Sequence, residues 1–429
     1  MSSRLDELKP AIRDATSRVL EVIADLSDDE LIVPERQILN PFNWEIGHVA
    51  WFFEKFILRD FGNQPMLRDD ADALWDSIAV FHDTRWELPL PDRAAILEYV
   101  NRVTDNTLRW LDENELAPEP WYRAWLSVHH AGMHAEAFTW MRQNVGYPAP
   151  KLNVQHGEYE SAGALPGDAE VPGGDFVLGA TRDGEFAFDN EVPPQTVKLE
   201  PYRIAKAPVT QSEFAAFVDD GGYGNRELWS DEGWKWRESE SAEHPIYWRR
   251  EGDTWQRRVF DNWRDLEAHR PVIHVSWFEA EAYCNWARRR LPSEAEWEAA
   301  ASASDAKDLS AYKRRYPWGD DASTPRRANL NWYAMDTCDV AALPEGDSVF
   351  GCRQMLGNVW EWTSDTFAGF PGFKRGFYKE YSEPWFHERK VLKGGAMACP
   401  ANMIWNTWRN FFQPWRRDVF AGFRTCART

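Results

Sequence analysis

Apolar positions recur at intervals of three and four through residues 4–25 (Leu5, Leu8, Ile12, Ala15, Val19, Val22 and Ile23), which predicts an amphipathic helix. Ser27-Asp-Asp and Pro34 interrupt the pattern, and Asn40-Pro41 opens a second helix over 41–59 with a capping residue followed by proline at the first helical position. Trp44, His48, Trp51, Phe52 and Lys55 fall along one side of it. Residues 61–90, bounded by Pro65, Pro89 and Pro91, show no period. Two further helical patterns follow, at 92–113 (Ala94, Ile96, Leu97, Val100, Val103, Leu108, Leu111) and 119–144. Four helices with one long connection predict an all-α four-helix bundle over residues 1–150.

Beyond Gly146-Tyr-Pro-Ala-Pro, residues 151–172 are rich in proline, glycine and acidic side chains and read as a linker. The rhythm then changes to short period-2 runs, Phe176-Val-Leu-Gly, Gln195-Thr-Val-Lys-Leu and Tyr202-Arg-Ile-Ala, which suit strands. Helical segments are expected at Thr210–Val218 and Trp277–Ala287. Residues 224–262, carrying Trp229, Trp234, Trp236, Trp248 and Trp255, read as a surface insertion. Residues 173–429 are thus expected to form an α+β domain with much irregular structure, whose long loops supply a functional surface.

Chemistry concentrates in His130-Ala-Gly-Met-His134-Ala-Glu136 on the last helix of the bundle. Side chains four apart share a helix face, so His130 and His134 can reach one metal ion. His48, in Gly47-His48 on the second helix, is the natural third ligand. Three neutral nitrogens leave positions open for reactants, as in a reactive rather than a sealed site. His129 lies about 100° around the helix from His130, so both cannot face one ion equally well; spacing favours the His130/His134 pair, with His129 as its rival. Glu136 points off the metal face and is expected to act as a structural hydrogen-bond partner.

Length and composition narrow the class. At 429 residues the chain needs more than one core, and its net charge of −20 argues against nucleic acid or an anionic membrane as main partner. No apolar run reaches the length of a membrane span, and Met1-Ser-Ser-Arg-Leu-Asp-Glu lacks a signal-peptide core. Five scattered cysteines (284, 338, 352, 399 and 426) without a CxxC fit free thiols in a cytoplasmic protein. Most of the 25 tryptophans are expected to serve core and loop packing, and a surplus also suits a pocket for a cation or a flat ring.

Residues 173–427 resemble the formylglycine-generating-enzyme (sulfatase-modifying factor) fold. The matching stretches are Pro208-Val-Thr-Gln-Ser-Glu-Phe, Pro271-Val-Ile-His-Val-Ser-Trp, Arg290-Leu-Pro-Ser-Glu-Ala-Glu-Trp, Tyr316-Pro-Trp-Gly, Met355-Leu-Gly-Asn-Val-Trp-Glu-Trp-Thr, Lys393-Gly-Gly and Ala421-Gly-Phe-Arg. Residues 1–150 resemble the DinB-like bundle with its three-histidine metal site. In this order the two domains resemble the sulfoxide synthases of ergothioneine biosynthesis. That resemblance implies iron(II) held by His48, His130 and His134, O₂ as co-substrate, and coupling of a chalcogen donor to C2 of the imidazole of hercynine, the trimethylated betaine of histidine. It further implies that one of Tyr378 and Tyr381 is the proton donor in the oxygen chemistry, and that Asn358, Trp360, Glu361 and Trp362 belong to the fold signature.

Several positions depart from the sulfur enzymes. Met133 stands where the family has a glutamine before the second metal histidine. Those members bind a peptide thiol through paired arginines, whereas His82-Asp83-Thr84-Arg85-Trp86 offers one. Their RNWD-like stretch carries an aspartate for the donor's ammonium, whereas this chain reads Arg409-Asn410-Phe411-Phe412-Gln413-Pro414. Losing those charges harms recognition of a zwitterionic donor and not of an uncharged one. With Asp418-Val-Phe-x-Gly-Phe-Arg-Thr-Cys426, the set resembles the selenoneine synthase branch, which takes selenium from a selenosugar. Candidate substrate contacts are Arg85, Met133, Arg409, Asn410, Phe411, Phe412, Gln413, Trp415 and Arg416. Arg417 and His82 are weaker candidates. The alternatives are coupling of hercynine to cysteine or γ-glutamylcysteine, a DinB-type metal-dependent thiol transferase, a formylglycine-generating enzyme, and a non-catalytic binding module. Small-molecule substrates and a monomer or small homo-oligomer are expected.

Overall fold

The computed structural model describes residues 2–114, 116–182 and 184–428. The chain divides into two compact units, Met1–Asn153 and Val154–Thr429.

The first unit is helical: α1 (Ser2–Glu21), α2 (Phe42–Phe53), the short α3 (Ala71–Trp75), α4 (Arg93–Glu113) and α5 (Pro118–Val145). Asp92 caps α4 by accepting the backbone N–H of Ala95 at 2.8 Å. Proline at the start of α5 and Gly146 in the left-handed conformation (φ 77°) at its end set that helix's limits. Helix α1 packs on α5, while α2 packs on both α4 and α5. The predicted second helix is present through residue 59, but its last turn, Glu54–Arg59, is π-helical. The stretch expected to be irregular contains α3, which packs against α2. Five residues were too few to show a period.

The second unit begins with strand β1 (Asp168–Val171), inside the stretch expected to be linker, then β2 (Gly174–Leu178), β3 (Gln195–Leu199) and β4 (Tyr202–Ala205). Asp-Ala-Glu-Val gives a weak strand signal alone; it is strand because β1 pairs with β4. Helices α6 (Gln211–Asp219) and α7 (Asp231–Ser239) precede the meander β5 (Trp248–Glu251), β6 (Thr254–Val259) and β7 (Asn262–Asp265). Then come α8 (Trp277–Trp286), β8 (Arg289–Arg290), α9 (Glu294–Ser302), β9 (Trp360–Thr366), β10 (Lys390–Lys393), β11 (Asn410–Phe412), β12 (Ala421–Gly422) and β13 (Cys426–Ala427). One sheet runs β1-β4-β13-β8 and another β11-β10-β9-β12, with β12 parallel to β9. Capping boxes Thr210/Glu213, Ser276/Glu279 and Ser293/Glu296 open α6, α8 and α9.

The stretch expected to be surface decoration is anchored rather than ornamental. Buried Arg257 on β6 pairs with Glu267 at 2.6 Å and Asp336 at 2.7 Å.

With little regular structure, side chains satisfy much of this unit's buried polar backbone. Asn358, at φ 70°, accepts from the backbone N–H of Cys338 and donates to its carbonyl. Glu361 accepts a forked pair of hydrogen bonds from Arg424 (2.6 and 2.7 Å) and another from Trp297 Nε1 at 2.7 Å. Burial would raise the Glu298 carboxyl, but Lys313 and Lys393 outweigh it and hold the group at about 2. Asn358 and Glu361, expected from the sequence to belong to the fold signature, here bond scaffold groups. All five cysteines are free and buried. No helix among the described residues is long and apolar enough to cross a membrane.

Candidate metal centre

The site is built on α2 and α5. The sequence spacing brings His130 and His134 onto one face of α5, and packing of α2 brings His48 against them. Their ring centroids lie 4.4 Å apart for the α5 pair and 5.1 and 5.2 Å from His48. Each ring offers a nitrogen, and the three nitrogens lie within 4.8 Å of one another. Nε2 of His130 and Nε2 of His134 are 3.1 Å apart. Two nitrogens bound to one ion at about 2.1 Å and a right angle would be separated by about 3 Å, so the spacing suits shared coordination.

Protonation fits a metal as well. Burial, then repulsion from His134, pushes the His48 imidazolium down to about 3. Burial, then His134 and His48, pushes His130 well below the ordinary value. Both rings therefore stay neutral near pH 7 with lone pairs available.

A supporting shell orients the rings. His48 Nδ1 donates to the Trp75 carbonyl at 2.8 Å, which leaves Nε2 as its lone-pair nitrogen. Its ring is flanked by Trp44 (centroids 5.0 Å, 8° between planes) and Trp51 (5.8 Å, 21°). His130 stacks on Phe52 at 3.8 Å. His134 Nδ1 meets the Glu45 carboxylate at 2.5 Å. The second Glu45 oxygen accepts from Asn40 Nδ2 at 2.6 Å, and Asn40 Oδ1 in turn accepts from Arg85 at 2.7 Å. Burial would raise Glu45, but the charge and hydrogen bond of His134, helped by His48 and Arg85, hold it down at about 2.

Glu45 and Trp75 were not singled out from sequence. Glu45 had a signal, since it precedes His48 by three on the same helix face. Trp75 had none, because only its backbone carbonyl is used.

Glu45→Gln keeps the shape and removes the charge opposite His134. It is expected to weaken Co(II) binding about 10- to 100-fold, read from cobalt absorption bands in a titration. Unchanged affinity would show that Glu45 does not position His134.

His129 is buried but turned away, stacking on Trp125 at 5.5 Å, and is outside the three-histidine group. Glu136 is also buried and outside the group. His82 is held on its loop by the Leu39 carbonyl at 2.8 Å and by Asp83. Met133, next to His134, is partly exposed. The Arg85 guanidinium lies 3.7 Å over the Trp44 ring and ties Asn40 toward Glu45. Its visible role is in the shell around His134.

The two units match two family models: the DinB superfamily over residues 11–142, and the sulfatase-modifying factor enzyme 1-like domain over residues 155–429. The hercynine oxygenase of Mycolicibacterium thermoresistibile is 36% identical over 440 residues, covering 97% of this chain and 94% of that protein. The hercynine oxygenase of Mycobacterium tuberculosis is 35% identical and covers 98% of each chain. The chain belongs to the hercynine oxygenase family. The formylglycine-generating enzyme of Streptomyces coelicolor, 30% identical, covers 59% of this chain. The hercynine oxygenases match across both units.

The second unit holds the remaining candidates of this family member. Tyr381 stacks on Phe188 (4.8 Å), meets Phe411 edge-on (5.7 Å) and lies 6.1 Å from Tyr378, ring to ring. Arg409 is buried and fully engaged: it holds Glu294 at 2.6 Å and the carbonyls of Asn190 and Ala368. It is part of the scaffold, so the expectation that it meets substrate is not met by its geometry. Phe411 is also interior, stacked on Phe367 at 4.0 Å. Asn410 Oδ1 accepts the Phe411 N–H. Phe412, Gln413 and Trp415 are partly exposed. Arg416 pairs through two bonds of 2.6 Å with Asp418 and covers the Phe412 ring at 5.1 Å. Arg417 lies 3.6 Å from Glu240.

Proposed function

We propose that this protein is an O₂-dependent, non-haem iron(II) enzyme that joins selenium of a selenosugar to C2 of the hercynine imidazole. The observation that carries the acceptor and the metal is the three-histidine group within a chain matched end to end by hercynine oxygenases. A ferrous ion held by His48, His130 and His134 would supply open positions at which imidazole, donor and O₂ meet. Replacing C2–H and Se–H by a carbon–selenium bond removes two electrons. O₂ accepts four, so it can also oxygenate the selenium, giving a selenoxide and water. The chain's own part is to keep His48 and His130 neutral, to orient His134 through Glu45 and His48 through the Trp75 carbonyl, and to surround cations with aromatic rings.

The donor reading rests on charges. Arg85 is alone and occupied with Asn40 and Trp44, and Phe412 stands where the sulfur enzymes carry a carboxylate. An uncharged donor needs neither. Tyr378 and Tyr381 are phenols able to give a proton while neutral at pH 7.

Initial rates with hercynine and O₂ are expected to favour a selenosugar over cysteine and γ-glutamylcysteine by at least about tenfold in kcat/KM. A clear preference for the peptide thiol would establish the sulfur reaction instead. Under the same assay, Tyr378→Phe or Tyr381→Phe is expected to shift product partitioning, and unchanged partitioning in both would remove the tyrosines from the mechanism. Tightly bound copper after anaerobic purification, or no metal at all, would count against the iron reading.

A further inference from the structure

The buried arginines of the second unit are matched to carboxylates. Arg257 holds Glu267 and Asp336, Arg409 holds Glu294, and Arg424 holds Glu361. Arg389, which is partly buried, is different. Its guanidinium lies 3.7 Å over the Trp385 ring and 5.5 Å from Phe411, and its Nε is buried without a hydrogen-bond partner. Among the described residues it makes no ion pair and no side-chain hydrogen bond.

No carboxylate among the described residues pairs with it. The neighbouring Arg416 repels it and is itself matched to Asp418, while Glu388 is exposed and attracts only from a distance. Burial first, then Arg416, pushes Arg389 down to about 9. A guanidinium in that position is stabilised by an anion that brings its own two oxygens.

A second polar group stands beside it. Strands β10 and β11 pair Val391 with Phe411 and Lys390 with Phe412. Arg389 immediately precedes Lys390 and Gln413 immediately follows Phe412, so the two flank the last paired position of the ladder, and the Gln413 Oε1 is buried without a hydrogen-bond partner. The Phe411 ring, packed with Phe367, Tyr381 and Trp385, forms the apolar floor on the same side.

We propose that Arg389, stacked on Trp385 at the end of the β10–β11 ladder that Gln413 also flanks, is a binding site for the carboxylate of an amino-acid-derived small molecule. The guanidinium takes the carboxylate through paired N–H bonds, and Trp385 holds the guanidinium plane. Gln413 meets a polar group next to that carboxylate. That the carboxylate is hercynine's rests on the function proposed above; the alternative source is a thiol amino acid.

The test is anaerobic calorimetric titration of the full-length, metal-loaded protein and of Arg389→Met. The probes are hercynine, its decarboxylated analogue (the trimethylammonium form of histamine), cysteine and γ-glutamylcysteine. Arg389→Met is expected to weaken hercynine binding about 10- to 100-fold, as for a lost charge-assisted pair, and to leave the decarboxylated analogue unchanged. Arg389→Lys keeps the charge without the fork and is expected to lie between. Loss confined to cysteine or γ-glutamylcysteine would keep the carboxylate site and assign it to the donor, so the site and the hercynine reading can fail separately. Equal loss for the analogue lacking the carboxylate, or no loss for any carboxylate probe, overturns the proposal.

Discussion

Replacing His130 by alanine is expected to reduce bound iron from about one ion per chain to below about a tenth, and to bring hercynine turnover down to background. The reason is geometric. His130 and His134 present Nε2 atoms 3.1 Å apart, and His48 completes the group from a different helix. Removing one of three ligands leaves two, and no other His, Cys, Asp or Glu joins the group among the described residues. His129 cannot substitute, because it points about 100° away around α5 and stacks on Trp125. The fold should survive, since the lost ring is neutral and its neighbour Phe52 can relax into part of the space. Metal content and the melting curve, taken together, check this. Retention of stoichiometric iron would refute the three-histidine centre.

Gly47→Ala is expected to destabilise the first unit by about 3 kcal/mol and to lower its Tm by about 8 °C. A Cβ at Gly47 would lie 2.0 Å from Cε2 and 2.1 Å from Nε1 of Trp75. That indole is fully buried and stacked on Tyr99 at 4.8 Å, so it has no open side to move into. Any shift of Trp75 also moves the carbonyl that holds His48 Nδ1. The same variant is therefore expected to bind Co(II) about 10- to 100-fold more weakly. Calorimetric melting of the apo-protein separates the packing effect from the metal effect. A Tm within about 2 °C of the parent would mean that Trp75 is not pinned against α2.

Gly47 also shows why sequence reading reaches only part of the site. The dipeptide Gly47-His48 is visible in the chain, and its histidine announces itself as a ligand. The need for glycine is not visible, because the atom that forbids a Cβ belongs to Trp75, twenty-eight positions later on a short helix with no period of its own. Glu45 is an intermediate case. Its position on the His48 face is a consequence of helix geometry, but its partner, His134, comes from another helix. Arg409 shows the opposite error. In the sequence it stands beside candidate pocket residues, whereas in the fold its guanidinium is enclosed by Glu294 and two carbonyls. Charge alone cannot tell a matched arginine from an unmatched one; what sets Arg389 apart is its surroundings in the fold.

By itself the sequence determined the helical periods of the first unit, the change of rhythm into the second, and the His130/His134 pair. These are local properties: 3.6-residue periodicity, capping chemistry and turn residues act over a few positions. Only the tertiary structure decided that β1 is a strand, that residues 224–262 are anchored through Arg257, and which carboxylate and which carbonyl orient the histidines. Those outcomes depend on contacts between residues tens to hundreds of positions apart, where burial sets the cost of every unmatched charge and hydrogen bond.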